Sequence, residues 1–202
     1  MIEKIGDTLV LATHNAGKLE EMRALMADFP FQLVSSKELG LSEPEETGTT
    51  FIENARIKAQ SAVKESRLPC LADDSGIEID ALGGAPGVYT ADWAETENGR
   101  DFVMAMEKSH ARLLASGAPQ PWTCRFVSTL VLAFPDGSES VFDGRAEGHF
   151  VWPMRGALGH GYDPVFQPLG HEETFAEMSH EAKNAISHRG RSIVALTEAL
   201  RA

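Results

Sequence analysis

A short, mostly apolar run, Thr8-Leu-Val-Leu-Ala12, passes directly into the polar segment Thr13-His-Asn-Ala-Gly-Lys18. Behind it Leu19, Met22, Leu25 and Met26 recur at helical spacing, with Glu20, Glu21 and Arg23 between them. The order is buried strand, polar loop, helix, and this is the opening unit of an α/β layer. Its loop amides and helix N-terminus make a ready anion site. Asn15 and Gly17 suit the turn. Lys18 places a positive charge where the helix dipole opposes one, and a bound anion accounts for that more simply. An ordinary turn is the other reading, because the Gly-x-x-x-x-Gly-Lys-Ser/Thr of a Walker A loop is absent.

The rest of the first hundred residues repeats the alternation. Residues 31–34 predict a second strand, and the polar, acidic stretch 36–48 predicts a loop or a short irregular helix. Its Glu43-Pro-Glu-Glu46 run suits a solvated surface. Thr50-Phe-Ile-Glu53 is a capping box opening a helix to about Ser66, with Ile52, Ala55, Ala59, Ala62 and Val63 as its buried stripe. Asn54 and Lys58 lie one turn apart on another face, within joint reach of a ligand, although the spacing alone suits a solvated face. Further on, Asn98 predicts the cap of a helix running to about Ser116.

The order then changes. Residues 125–134 read as a strand, Pro135-Asp-Gly137 as a hairpin turn, and 139–142 as its partner, with a further strand at 147–151. These look antiparallel. A glycine-rich turn follows at Gly159-His-Gly-Tyr-Asp-Pro164. Ser179 caps a C-terminal helix that buries Ile186, Ile193, Leu196 and Leu200 and that Gly190 is expected to break. Lys183 and Arg189 fall about 120° apart on an ideal helix, so spacing alone favours a charged surface helix there.

Between the halves lies Leu71-Ala-Asp-Asp-Ser-Gly-Ile-Glu-Ile-Asp-Ala-Leu-Gly-Gly-Ala-Pro-Gly-Val-Tyr89. Residues 69–72 predict a buried strand, Ser75-Gly76 a turn, and Gly83, Gly84, Pro86 and Gly87 a second, longer turn. Asp73 and Asp74 at a strand end suit a divalent metal and a phosphate. They equally suit a turn in which Asp bonds its own backbone. Successive strand residues point apart, so one cleft naturally receives one of the two.

With 202 residues, 43% hydrophobic and 24% charged, the composition predicts one globular domain spanning residues 1–202 with a real core. The net charge of −12 argues against a nucleic-acid partner, though a small anion remains compatible where cations cluster or a metal bridges. Cys70 and Cys124 both sit in strand-like runs and predict reduced core thiols. No leader pattern opens the chain and no run is long enough to span a bilayer, so a cytoplasmic protein with no membrane partner is expected.

Taken together, seven ordered motifs resemble one family. They are Thr13-His-Asn-Ala-Gly-Lys18, Glu45-Glu-Thr-Gly48, Phe51-Ile-Glu-Asn-Ala55, Ala72-Asp-Asp-Ser-Gly76, Leu82-Gly-Gly-Ala-Pro-Gly87, Gly161-Tyr-Asp-Pro164 and Ala185-Ile-Ser-His-Arg-Gly190. They are similar to those of the noncanonical purine nucleoside triphosphate pyrophosphatases, the inosine/xanthosine triphosphate pyrophosphatases or house-cleaning NTPases. The likeness runs from Leu9 to about Leu200.

The resemblance implies a mixed α/β fold, with a long central mixed β-sheet, flanking helices and two lobes around a deep central cleft, in a homodimer. It implies Mg2+-dependent hydrolysis of ITP, dITP and XTP, small-molecule purine nucleoside triphosphates, to the monophosphate and pyrophosphate. Carried over position by position, Thr13, His14, Asn15, Ala16, Gly17 and Lys18 hold the triphosphate. Glu45 and Asp74 match the metal-binding acids, and Asp74 also matches the general base; Asp73, which the resemblance does not assign, is expected to support Asp74. Ser75 contacts substrate, while His160, Gly161, Tyr162 and Asp163, with Lys183, His188 and Arg189, surround the base and adjoining phosphates. His160 stands where many relatives have phenylalanine, keeping a flat ring but adding a hydrogen-bonding edge that titrates. His188 and Arg189 are candidate donors to the purine 6-keto oxygen, the group that separates ITP from ATP. Two other readings are a Maf-like nucleotide pyrophosphatase of different base specificity and a nucleotide-binding module that does not hydrolyse.

Overall fold

A computed structural model describes every residue but Asn15, and of Ala16, Gly17 and Glu21 it describes the backbone alone. The Asn15 expectation therefore lies outside the described residues. In chain order the elements are α1 (Ile2–Ile5), β1 (Thr8–Leu11), α2 (Ala16–Leu25), β2 (Gln32–Ser35), α3 (Phe51–Ser66), β3 (Cys70–Ile79), β4 (Glu95–Thr96), β5 (Gly99–Arg100), α4 (Phe102–Ser116), β6 (Trp122–Ala133), β7 (Glu139–Phe150), β8 (Phe166–Pro168), α5 (His180–Ile186) and α6 (His188–Arg201). Six strands form one mixed sheet in the order β2-β1-β3-β6-β7-β8. β1 runs parallel to β2, with Thr8 opposite Gln32, and parallel to β3, with Val10 opposite Cys70. At the other edge β8 runs antiparallel to β7, with Phe150 opposite Phe166. No described helix is long and apolar enough to cross a membrane.

The chain divides into two compact units, Met1–Asp74 with Thr129–Asp143 and Ser192–Ala202, and Ser75–Ser128 with Gly144–Arg191. In the first unit β1 is buried on both faces, as its unbroken apolar run requires. Leu9 and Leu11 pack in one cluster with Leu19 and Met22 of α2, with Met26 just beyond it, and with Ile193, Leu196 and Leu200 of α6. Val10 packs instead with Ala62 of α3 and Cys70. Ala55 and Ala59 of α3 pack against Ala72 and Val131. In the second unit Ile77 and Ile79, α4, the first part of β6 and the end of β7 close around Tyr162, Phe166 and Phe175. Cys70 and Cys124 are both free and buried.

Four boundaries differ from the sequence expectation, each for a local reason. Asp73 to Gly76 are not a turn but the middle of β3, because Ile77 and Ile79 continue the inward alternation into the second core at 0% exposure. The cap of α4 is Asp101, whose carboxylate accepts from Met104 N at 3.0 Å, rather than Asn98. β7 is one strand across 139–150: Phe142, Gly144, Ala146, Gly148 and Phe150 are buried while Asp143, Arg145 and Glu147 face out. The C-terminal helix breaks at Ser187 rather than Gly190. The Ser187 Oγ accepts from Gly190 N at 3.0 Å and so caps α6. Gly190 matters for another reason, since a Cβ there would lie 2.0 Å from the Asn184 carbonyl oxygen.

Candidate active site

In the first unit the site is built on β3. Extended backbone sends consecutive side chains to opposite sides, and Asp73 and Asp74 accordingly meet different lysines. Asp73 Oδ2 takes Lys18 Nζ from α2 at 2.7 Å. Asp74 Oδ1 takes Lys58 Nζ from α3 at 3.2 Å, and Lys58 also reaches Glu46 Oε2 at 3.1 Å. Lys58 and Asp74 are largely buried, with side-chain exposures of 14% and 13%. The second Asp74 oxygen, Oδ2, is buried without a hydrogen-bond partner.

The acidic loop is tied to the start of α3. Thr50 and Glu53 form the expected capping box. Thr49 N donates to Glu53 Oε2 at 2.7 Å, and Gly48 N donates to the buried Asn54 Oδ1 at 2.8 Å. A Cβ on Gly48 would stand 2.6 Å from that oxygen. His14 joins the same loop from the other direction, its Nε2 lying 3.1 Å from Leu41 O and its Nδ1 3.8 Å from Glu43 Oε2. Glu45 is exposed. The Thr13 amide donates to Leu11 O at 2.8 Å, and Ala16 and Gly17 open α2.

Electrostatics follow from burial and from an excess of acid. Desolvation pushes the Asp74 carboxyl up to about 6; Lys58 pulls it down, while Glu46 and Asp73 reinforce the rise. Burial acts against the Lys58 ammonium, but Asp74, Asp73 and Glu46 together raise its proton affinity. Three carboxylates share two lysines here, which leaves the cluster short of positive charge. An orphaned buried carboxylate oxygen in an acid-rich, all-oxygen donor set fits a hard divalent cation such as magnesium. Among the described residues no three His, Cys, Asp or Glu side chains converge into a cage. Magnesium characteristically takes only one or two carboxylates beside substrate phosphates.

In the second unit the predicted residues gather around Asp163, which is buried to 2%. Its Oδ2 accepts from His160 N at 2.8 Å and from Lys183 Nζ at 2.5 Å. A Cβ on Gly159 would fall 2.1 Å from that oxygen, and Gly159 and Gly161 have φ of +74° and +67°. The Tyr162 ring is 1% exposed and belongs to the core: its hydroxyl lies 3.1 Å from Ser109 Oγ and donates to Ala105 O at 3.1 Å. Burial pushes its phenol up to about 12. Its side chain thus anchors the turn that carries the exposed His160. His188, 9% exposed, stacks on Phe126 at 4.7 Å. Ser75 and Arg189 are half-buried, on β3 and the first turn of α6.

Lys58, Glu46 and Phe126 were not among the sequence-derived site residues. The one-turn spacing of Asn54 and Lys58 was the available signal for the first; neither residue lies on a solvated face.

The family model described as the Ham1 family matches residues 9–199. This chain belongs to the Ham1 family. A relative from Ruegeria pomeroyi named dITP/XTP pyrophosphatase is 60% identical over 188 residues, covering 93% of this chain and 92% of that protein. One of the same name from Rhizobium meliloti is 55% identical, covering 96% of each. Among solved structures, a HAM1 protein from Coxiella burnetii superposes with a TM-score of 0.91 at 36% identity, covering 96% of this chain and 98% of that one. The Ham1 likeness therefore takes in both units and every residue of the two clusters above.

Proposed function

We propose that this chain hydrolyses dITP, XTP and ITP to the monophosphate and pyrophosphate, by attack of water on the α-phosphorus. The observation that carries the reading is the near full-length likeness to relatives named dITP/XTP pyrophosphatase. The charge arrangement supports it. Asp74 is the general base, its raised proton affinity suiting a group that accepts a proton near neutral pH. Thr13 to Lys18 hold the triphosphate, with Lys18 and Lys183 stabilising phosphate charge. Ser75, the turn His160 to Asp163, His188 and Arg189 face the sugar, base and adjoining phosphates.

Glu45 and Asp74 are the residues that would hold magnesium, with Glu46 beside them sharing Lys58 with Asp74. When bound, the metal supplies charge neutralisation on the phosphates and the departing pyrophosphate. The working form in this reading is a cytoplasmic homodimer, each chain acting as one domain of residues 1–202. Its surface, at a net charge of −12, favours small nucleotides over nucleic acid.

The test is pyrophosphate release from dITP, XTP, ITP, GTP and ATP with Mg2+. Turnover of the first three well above GTP and ATP is expected. A preference for other bases would replace this reading with a Maf-like one. Nucleotide binding without release would replace it with a sensing module. Light scattering on the eluted protein checks the dimer.

A further inference from the structure

Two basic side chains of the proposed site, Lys183 and His188, rest on one buried group of aromatic rings. The His188 imidazole lies 4.7 Å from the Phe126 ring with 13° between planes. Phe126 lies 5.9 Å from Phe175 with 9° between planes, and Phe166 leans on both at 4.7 Å. Lys183 Nζ stands 5.4 Å from the centroid of Phe175 while Asp163 holds its charge. Phe126 comes from β6, Phe166 from β8 and His188 from the first residue of α6. All three phenylalanines are buried.

We propose that Phe126 is a positioning residue for purine discrimination, fixing the plane of the His188 imidazole and so the direction in which its ring N–H can donate. The inference rests on the reading above, in which His188 faces the purine 6-keto group. An imidazole can donate only in its own plane. Flat contact with a phenyl ring restricts tilt, and Phe126 is itself held by Phe166 and Phe175. Hydrogen bonds weaken steeply once donor and acceptor fall out of line. Rejection of a 6-amino purine depends on donors that stay aimed and unpaired against it. A donor free to tilt loses that contrast sooner than it loses binding. Leucine at 126 keeps an apolar filling but offers no flat face.

The experiment compares Phe126→Leu and Phe126→Tyr with wild type, by the ITP-to-ATP ratio of kcat/KM and by NMR of the His188 ring protons in the resting protein. The leucine variant should lose about three- to tenfold in the ratio, the scale of one aromatic pair, and the tyrosine variant should keep it. The His188 protons should show an upfield ring-current displacement in wild type and Phe126→Tyr, and lose it in Phe126→Leu. In a His188→Ala background, Phe126→Leu should change the ratio no further. An unchanged ratio despite altered His188 shifts would overturn the proposal, as would an equal fall in the His188→Ala background. If Phe126→Leu does not fold, undisplaced His188 resonances in wild type overturn it alone. Absence of dITP and XTP turnover in wild type would instead remove the functional reading and leave the ring-current result standing.

Discussion

Asp74 should make the metal-free protein less stable as it ionises, and Asp74→Asn exposes this. Burial lifts the carboxyl from 3.8 to about 6, with Lys58 opposing the rise and Glu46 and Asp73 adding to it. A tenfold change in proton affinity is worth about 1.4 kcal/mol. The ionised folded state therefore carries a penalty of about 3 kcal/mol. The sign follows from linkage. A carboxyl raised in the folded state favours the native protein below its unfolded value near 3.8, and that advantage is lost as pH rises through about 6. Roughly half the penalty is present at pH 5, and nearly all of it at pH 8. Asparagine does not titrate. Its other effect, removing one of the partners of Lys58, acts alike at both pH values. Urea unfolding in EDTA should therefore show the stability of Asp74→Asn, relative to wild type, rising by about 1–1.5 kcal/mol from pH 5 to pH 8. Added Mg2+ should then stabilise wild type and not the variant. A difference that stayed constant between pH 5 and 8, or moved the other way, would refute the account of Asp74 as a buried, destabilised carboxylate.

Three smaller changes probe other parts of the structure. Gly190→Ala drives a methyl to within 2.0 Å of the Asn184 carbonyl oxygen, so α5 and α6 must separate; a loss of about 1–3 kcal/mol in a denaturant titration is expected, and wild-type stability would contradict the close approach. Burial pushes the Cys70 thiol up to about 11 and the Cys124 thiol further, so neither should react with a thiol reagent at pH 8 before unfolding; prompt native labelling of either disproves it. The neutral Cys70 thiol also favours the native state below its ordinary value of 9.0, an advantage lost as pH rises through about 11. Arg189→Ala should lower the ITP-to-ATP preference more than it weakens ITP binding, and equal ratios in mutant and wild type would count against a base-reading role.

How much of this was legible follows from where the chemistry is local. The Thr50–Glu53 capping box and the turn at Pro135-Asp-Gly137 announce themselves within four residues, and both stand as expected. So does the alternating strand-helix layer that β1 opens, because β1 carries apolar residues on both faces. What local chemistry could not give was the state of polar residues decided by distant partners. Asp73-Asp-Ser-Gly76 carries four turn formers in a row, yet β3 lies between β1 and β6 in the sheet and leads into Ile77 and Ile79, and the extended state prevails. Lys58 looked solvated because its partners, Glu46 and Asp74, lie 12 and 16 residues away. Phe126 read as one more strand residue because a stacked imidazole 62 residues later leaves no mark nearby. The conflict at 73–76 has a use. In a flexible turn each carboxylate could swing, whereas alternation along a strand sends Asp73 to Lys18 and Asp74 to Lys58 and leaves one Asp74 oxygen buried without a partner. A local preference is overruled by the fold at a point where partly buried carboxylates face two lysines, and under the proposed function that conflict marks the place where a cation and a phosphate would be held.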